Sequence, residues 1–568
     1  MMNDTMADKN CKKNCLILGA GLMQKPAILA SKALGLITVV IDADDKAVCI
    51  PLADKFYKID LKAKDEIVEL AEQLKKNGGL KAVFTAGTDF SASVSYVCEK
   101  LNLPAHSYEA ALNASIKTRM RQCFADKGVP SPKFTQITKN DLADKASAEA
   151  FLQKLKNMMD FPLVVKPVDN MGARGCRMVR CEAEFLTSAE CAVEASRSGN
   201  AIVEEYMDGP EFSIDALVYD GSMTITGFAE RHIYYPPYFI EVGHTMPAIL
   251  EKKVHDELIS AFADAAKSLG LTCGAAKADI KYTKKGPMIG EIAGRLSGGY
   301  MSGWTYPYAS DLNLTKQGLL IACGEKPEEL VNRRVPVDYV NYTDATAGNN
   351  QVCNQNHTKP YELFEIPSVR TSAERAWISI PGTVEYIENI QDYTDKAICD
   401  VLPRATVQLG SEVDFPRNNV QKCGNIISTS NNREIAIAAA ENAVSNIFIT
   451  LKPNDARTEK FLSGVFADDE DKFPPSAFGE MDAGEAAAVE GVIPAKSSVA
   501  ACIPQVLKTE KWTNKTDWNY NSILQTAQKF DVLRKNHPEL DAKTFWKYVL
   551  RGGIQAAVYY SDSVGEGV

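Results

Sequence analysis

The sequence predicts a multidomain chain of the α/β class, turning α+β in its later parts. Three observations predict it. The first hundred residues alternate strand and helix patterns, hairpin signals follow one another between positions 211 and 293, and 568 residues are enough for several cores at roughly 150 residues each. Residues 15–19 read as an apolar strand, 24–34 as a helix and 37–42 (ITVVID) as a second buried strand. In 65–76, Ile67, Leu70, Ala71 and Leu74 share one helical face, closed by Gly78 and Gly79. Residues 81–85 supply a third strand, and such a β-α-β succession means parallel strands with right-handed crossovers. A helix from about position 114 leads to Val129-Pro130-Ser131-Pro132, a natural boundary. Strands follow at 162–166 and 201–206, with a helix at 182–197 between them. Residues 211–218 and 222–228 pair around Asp220-Gly221. A helix over 254–269 precedes a second hairpin, 275–293. Weaker signals mark a β-rich stretch at 378–389 and helices at 433–447, 522–535 and 542–551.

Composition narrows the function. There are 63 basic and 73 acidic residues, a formal net charge of −10, whereas a nucleic-acid binder presents a basic surplus to phosphates. The hydrophobic fraction of 45% and charged fraction of 24% are those of an ordinary globular protein. No apolar run approaches the length of a membrane helix, and the polar first 14 residues lack a signal-peptide core. The 14 cysteines are scattered without a CxxC pair and read as free thiols of a reducing cytoplasm. The expectation is a cytoplasmic protein with neither nucleic-acid nor membrane partners; a homo-oligomer is left open. Gly19-Ala20-Gly21 after the first strand, with Asp42 ending the second, invites a dinucleotide reading. Gln24 stands where the third glycine of the fingerprint belongs, so NAD chemistry is the weakest alternative.

The sharpest local geometry lies in 275–293. A three-residue connection, Lys284-Lys285-Gly286, would pair Thr283 with Pro287 and set Asp279 directly opposite Glu291, their Cβ atoms roughly 5 Å apart. Two carboxylates that close repel unless a cation joins them, and oxygen-only ligation suits Mg²⁺ shared with substrate phosphates. Taken alone, the pair is equally a solvated charged face. Around it stand Arg295, four residues past Glu291, and the flexible Gly298-Gly299. Lys166 ends a strand and runs into a loop with Gly172 and Gly175, and Lys117 opens a helix. With the acidic hinge Glu204-Glu205-Tyr206, these make a phosphoryl-transfer kit.

The succession SIKTRMRQCFADKGVPSP, FPLVVKPVDNMGARG, IVEEYMDGPEFSID, CGAAKADIKY and GPMIGEIAGRLSGG resembles the ATP-grasp superfamily over residues 12–450. Its segment FIEVGHTMPAIL is similar to one found in carboxylate–amine ligases, especially L-amino acid ligases. The resemblance implies an ATP-grasp fold: an N-terminal Rossmann-like domain (12–112), a linker helix and lid (113–203), a catalytic subdomain with a β-rich part (204–450), and an extension (451–568) expected as a helical appendage. It implies that Lys117 and Lys166 contact the α- and β-phosphates and that the loop of Gly172 and Gly175 closes over the triphosphate. The hinge of Glu204, Glu205 and Met207 would hold adenine, and Glu211 the ribose. Asp279 and Glu291 would ligate Mg²⁺, or Mn²⁺ in its place. Arg295 would neutralise an acyl-phosphate, while Glu241 would reach a metal and His244 the substrate. Two departures stand out: Asp279 replaces the usual glutamate, and Ala293 replaces a frequent asparagine ligand. The implied activity is ATP-dependent joining of a small carboxylate to a small amine, with a carboxylation or phosphoribosylamine-type reaction, or an inactive ATP-binding protein, as alternatives.

Overall fold

The β-α-β signals of the first hundred residues build a parallel sheet. Strands β1 (Asn14–Leu18), β2 (Ile37–Asp42), β3 (Lys55–Lys58) and β4 (Leu80–Phe84) lie in the order β3-β2-β1-β4. Helix α1 (Lys25–Ala33) connects β1 to β2, α2 (Lys64–Lys76) connects β3 to β4, and α3 (Ser91–Leu101) follows β4. The α2 face foreseen from spacing is the buried one. The dinucleotide features are spent on the turn itself. Asp42 accepts the Ala20 N–H at 2.8 Å and the Asp44 N–H at 3.0 Å. Gln24, 1% exposed, packs against Gly19 and accepts the Ala86 N–H at 2.9 Å. The NAD reading therefore has neither its ribose acid nor room at its third glycine.

The computed structural model describes residues 12–343, 352–353, 358–389, 398–403, 407–464 and 473–565. They form two compact units: Met1–Met171, Gly175–Arg231 and Thr245–Ser372 in the first, and Gly172–Arg174, His232–His244 and Ala373–Val568 in the second. Beyond the parallel sheet, the first unit continues through α4 (Tyr108–Ser115) and α5 (Lys117–Lys127). An antiparallel sheet follows in the order β5 (Phe134–Thr138), β8 (Asn200–Glu205), β6 (Leu163–Pro167), β7 (Arg177–Val179), with α6 (Lys145–Lys156) and α7 (Glu182–Ala195).

The sheet that carries the site begins with β9 (Glu211–Tyr219) and β10 (Ser222–Tyr234), a hairpin as expected. After β11 (Ile240–Met246), described with the second unit, α8 (Lys252–Leu269) leads to β12 (Gly274–Thr283) and β13 (Gly286–Ala293). In β12, Ala276, Ala278 and Ile280 are fully buried and alternate with Lys277, Asp279 and Lys281 on the opposite face. In β9, Phe212, Ile214 and Ala216 join the same apolar face, which shares a core with Leu258, Phe262 and Ala266 of α8. Register sets Lys281 opposite Glu211 and Lys277 opposite Asp215, so the other face is charged. The hairpin turn differs from expectation. Thr283 pairs with Gly286, leaving a two-residue turn, and the extra residue appears instead as a bulge between Asp279 and Ile280.

In the second unit β11 joins strands Thr371–Trp377, Gly424–Ser430 and Ile398–Pro403 in one sheet, and Gly382–Asn389 pairs with Ile447–Leu451 in another. Trp377, Ile380, Ala440, Val444 and Leu451 share a core with Phe461, Ala556 and Tyr559. The expected boundary at 450/451 thus runs through a core, and the extension is no separate appendage. Its Trp512, Phe530, Phe545 and Trp546 are all fully buried within the chain. The acidic stretch 468–471, expected as an exposed connection, lies outside the described residues. Helix Ala542–Gly565 breaks at Gly553 (φ 60°), where a Cβ would fall 2.7 Å from Asp517 Oδ2. Among the described residues no helix is long and apolar enough to cross a membrane. Gln555, 3% exposed, accepts the Ile380 N–H at 3.2 Å and donates to Ser379 Oγ and Ile449 O at 2.9 and 2.8 Å. Gln555→Ala should lower the urea midpoint by an amount equivalent to about 1–3 kcal/mol, the cost of stranding buried polar groups. Truncation after Leu451 should yield a chain that binds a hydrophobic dye and aggregates rather than one that merely changes its assembly.

Candidate active site

Asp279 stands directly opposite Glu291 across β12 and β13, as the sequence predicts. Each carboxylate already faces cations. Asp279 is paired with Lys277 and, at 3.0 Å, with Arg231 Nη1; Lys117 Nζ lies 3.7 Å from Glu291. Desolvation in the cleft works to raise the Glu291 pKa, and Lys117, Lys166 and Lys277 overcome it and hold the carboxyl below its ordinary value. Arg231 also pairs with Glu211, and Lys281 reaches Glu211 at 3.5 Å and the Met207 carbonyl at 3.1 Å. The ribose acid and the hinge expected from the sequence therefore meet along one edge of the charged face. The Tyr206 ring lies 5.1 Å from Lys281 Nζ. The Glu205 N–H is bonded to Lys133 O at 3.0 Å.

The cations expected to face phosphates stand on α5 and β6. Lys166 on β6 pairs with Glu204 on β8 at 2.7 Å, and Arg121 Nε bonds the other Glu204 oxygen at 2.8 Å. Glu204 is 2% exposed; burial works to raise its pKa, and Arg121 and Lys166 prevail and lower it. Its side chain thus ties α5 to β6 through Arg121 and Lys166. Arg121 Nη2 continues to the Gly290 carbonyl at 2.6 Å, and Lys117 Nζ donates to Asn170 O at 3.1 Å. Gly175 (φ +68°) is packed on Pro167 and Ala195; Gly172 (φ +67°) lies in the second unit, where its carbonyl accepts the Asn419 N–H at 2.9 Å.

Arg295 binds Asp89 through Nε at 2.9 Å and Nη2 at 2.6 Å. Just beyond it, buried Asp215 accepts the Ser297 N–H at 2.9 Å and the Ser297 hydroxyl. Burial raises the Asp215 pKa to about 6 against these bonds. In the second unit, His244 is fully buried, with Nδ1 2.7 Å from Glu374 and Nε2 3.5 Å from Glu241. Glu374 also accepts from Asn425 at 2.6 Å. Burial works to lower the imidazole pKa, but Glu241 and Glu374 raise it to about 9.

Among the described residues no group of three or more His, Cys, Asp or Glu forms a metal site. The two opposed carboxylates still fit Mg²⁺, which takes few protein oxygens and completes its shell with phosphates and water. Sequence reasoning missed Arg121, although it lies one helical turn from Lys117, and Lys277, although it shares the Asp279 face. Asp89 and Glu374 lie far from the motifs and carry no local signal, whereas Asp215 closes the segment IVEEYMDGPEFSID and was passed over. His244 gives a pH test. Its value lies above the ordinary 6.5, so the stabilisation it contributes is complete below about 6.5 and is lost as pH rises through about 9. NMR of imidazole-labelled protein should show a resonance, absent in His244→Gln, titrating near 9 and moving downward in Glu374→Gln.

Comparison with known proteins agrees with this geometry. Residues 159–303 match the ATP-grasp domain. Carnosine synthase 1 of Homo sapiens is 24% identical over 338 residues, 56% of this chain and 40% of that protein. Alanine–anticapsin ligase of Bacillus subtilis is 27% identical over 259 residues, 42% of this chain and 53% of the relative. The chain thus spans about half the length, or less, of these two relatives. The crystal structure of L-amino acid ligase from Bacillus licheniformis superposes with a TM-score of 0.59 at 18% identity, covering 78% of this chain and 99% of that one. Through residues 159–303 the chain carries an ATP-grasp domain.

Proposed function

We propose that the protein is an ATP-dependent carboxylate–amine ligase acting on small molecules in the cytoplasm. The observation that carries this reading is the opposition of Asp279 and Glu291 inside a ring of cations. Counted over the ion pairs of the cleft, Lys117, Arg121, Lys166, Arg231, Lys277, Lys281 and Arg295 face Asp89, Glu204, Glu211, Asp279 and Glu291. Seven cations against five carboxylates leave a positive surplus that suits a polyphosphate. Similarity to carnosine synthase and alanine–anticapsin ligase supports amide formation as the outcome.

A carboxylate anion is a poor electrophile, so it must first be activated. In the proposed reaction one of its oxygens attacks the γ-phosphorus, ADP leaves, and an amine displaces phosphate from the acyl-phosphate. Asp279 and Glu291 would hold Mg²⁺, or Mn²⁺, which when bound neutralises phosphate charge. Lys117 and Lys166 orient the phosphates, and the loop containing Gly172 and Gly175 excludes water that would hydrolyse the intermediate. The Arg295 guanidinium stabilises charge on the acyl oxygen. Glu241 and His244 are assigned to substrate contact, with a metal contact for Glu241.

Hydroxylamine added with ATP, Mg²⁺ and a cognate acid should trap the acyl-phosphate as a hydroxamate, and Arg295→Ala should abolish the trapping. Glu291→Gln, which keeps volume and removes charge, should slow ADP formation by about a hundred- to a thousand-fold while the fold persists. ADP formation that requires bicarbonate and no organic acid would instead support carboxylation.

A further inference from the structure

The two opposed carboxylates are unequal. The Glu291 side chain is 40% exposed, and Lys117 Nζ stands off from it at 3.7 Å. The Asp279 side chain is 14% exposed, with Lys277 Nζ against Oδ2 and Arg231 Nη1 3.0 Å from Oδ1. One acid is open to the cleft; the other is enclosed by two protein cations.

The ladder places Lys277 for this. It sits two residues before Asp279, so both side chains leave the same face of β12. Across the sheet it lies opposite Ala293 on β13 and Asp215 on β9. Ala293 has no donor atom and little bulk, and directly opposed Cβ atoms stand roughly 5 Å apart. An oxygen-bearing side chain there would compete for the space above the Lys277 stem. Asp215 is occupied by the Ser297 N–H and hydroxyl, and the ammonium turns to Asp279.

Phosphoryl-transfer sites commonly bring two divalent ions to the β- and γ-phosphates. Mg²⁺ takes its protein oxygens mainly from carboxylates, and a second ion needs acids beyond the first. Strands β12 and β13 carry Asp279 and Glu291 as their acids. Lys277 and Arg231 together bring the two positive charges that a second ion would bring. We propose that the site takes one divalent cation per bound nucleotide, at Asp279 and Glu291, and that the Lys277 ammonium takes the place of a second. This rests on the ligase reading above, which puts ATP in the cleft. A charge fixed to the chain does not dissociate, so nucleotide binding should depend on free metal to the first order.

The test is electron paramagnetic resonance of the full-length protein with Mn²⁺ and the non-hydrolysable β,γ-methylene analogue of ATP, which needs no turnover. Two Mn²⁺ ions at the usual two-metal spacing of about 3.5–4 Å couple their spins and broaden the spectrum, and one alone does not. Wild type should show the uncoupled spectrum, with one Mn²⁺ per bound analogue by equilibrium dialysis. Lys277→Arg keeps the charge and should keep the count at one. Lys277→Asp sets a third carboxylate where the ammonium stood and should bind two, with the coupled spectrum. A purely structural lysine would leave the count the same in all three proteins. Should Lys277→Asp not fold, Lys277→Ala decides: its ADP formation should fall about a hundredfold and recover as Mn²⁺ is raised, and a loss that no metal concentration recovers overturns the inference. Two Mn²⁺ in wild type, or one in a Lys277→Asp protein that still binds the analogue, also overturns it and leaves the ligase reading intact. No analogue-dependent Mn²⁺ binding in wild type overturns both. One Mn²⁺ as described, with no ADP formed for any acid and amine, overturns the ligase reading alone.

Discussion

One displaced residue, Gly290, sets the register on which the charged face depends. From the turn, Thr283 pairs with Gly286 and Ile280 with Ile289. An unbroken ladder would set Ala278 opposite Glu291 and turn that carboxylate into the apolar core under the sheet, because a one-residue slip exchanges the faces of a strand. The bulge returns Glu291 to Asp279. Glycine suits that position, since a Cβ would fall 3.0 Å from Asp279 O, a tight approach. Bulging also turns the Gly290 carbonyl toward Arg121, which binds Glu204, which binds Lys166. The Asp279–Glu291 pair, strand β6 and helix α5 are thereby linked through one irregularity of backbone.

The same charges explain how such a site folds without its ligands. Desolvated lysines and arginines are costly unless paired. Here each of these cations has a carboxylate of the same face as partner: Lys117 with Glu291, Lys166 and Arg121 with Glu204, Arg231 with Glu211 and Asp279. A bound polyphosphate would exchange one set of anions for another, so the cations are oriented before it arrives. Asp279, shorter than a glutamate, stays close to Lys277 and Arg231.

Much of this was legible in the sequence wherever period and chemistry coincide. The alternation in AAKADIK reports a sheet with one apolar and one charged face, and it is observed. The opposition of Asp279 and Glu291 was read correctly, but through a three-residue turn; a bulge and a longer turn shift register equally, and the sequence does not distinguish them. Gly19-Ala20-Gly21 suggested a dinucleotide turn, whereas the Gln24 side chain occupies it. The motif position of Glu204 says nothing of its pairing with Arg121, 83 residues away. Asp89 and Glu374 were invisible for the same reason: their roles come from contacts 206 and 130 residues distant in the chain, and local pattern carries no trace of such distances.

The extension after residue 450 was the largest misreading, and its cause is physical. Pro- and Gly-punctuated stretches look like linkers, yet aromatic residues within them must be buried somewhere. They are buried in the second unit, in a core that also holds the segment carrying Glu241 and His244. Tyr238 packs on Phe473 with ring centroids 4.7 Å apart, Tyr235 on Phe415 at 5.2 Å, and Phe415 on Trp518 at 5.0 Å. Asn419 accepts the Glu241 N–H at 2.8 Å, and Lys422 donates to the Glu241 carbonyl at 2.7 Å. Glu374 holds His244 from within the same unit. Residues as far along the chain as Trp518 thus fix the backbone of a segment nearly three hundred positions earlier. Changes in the C-terminal aromatic cluster act on that segment through its packing.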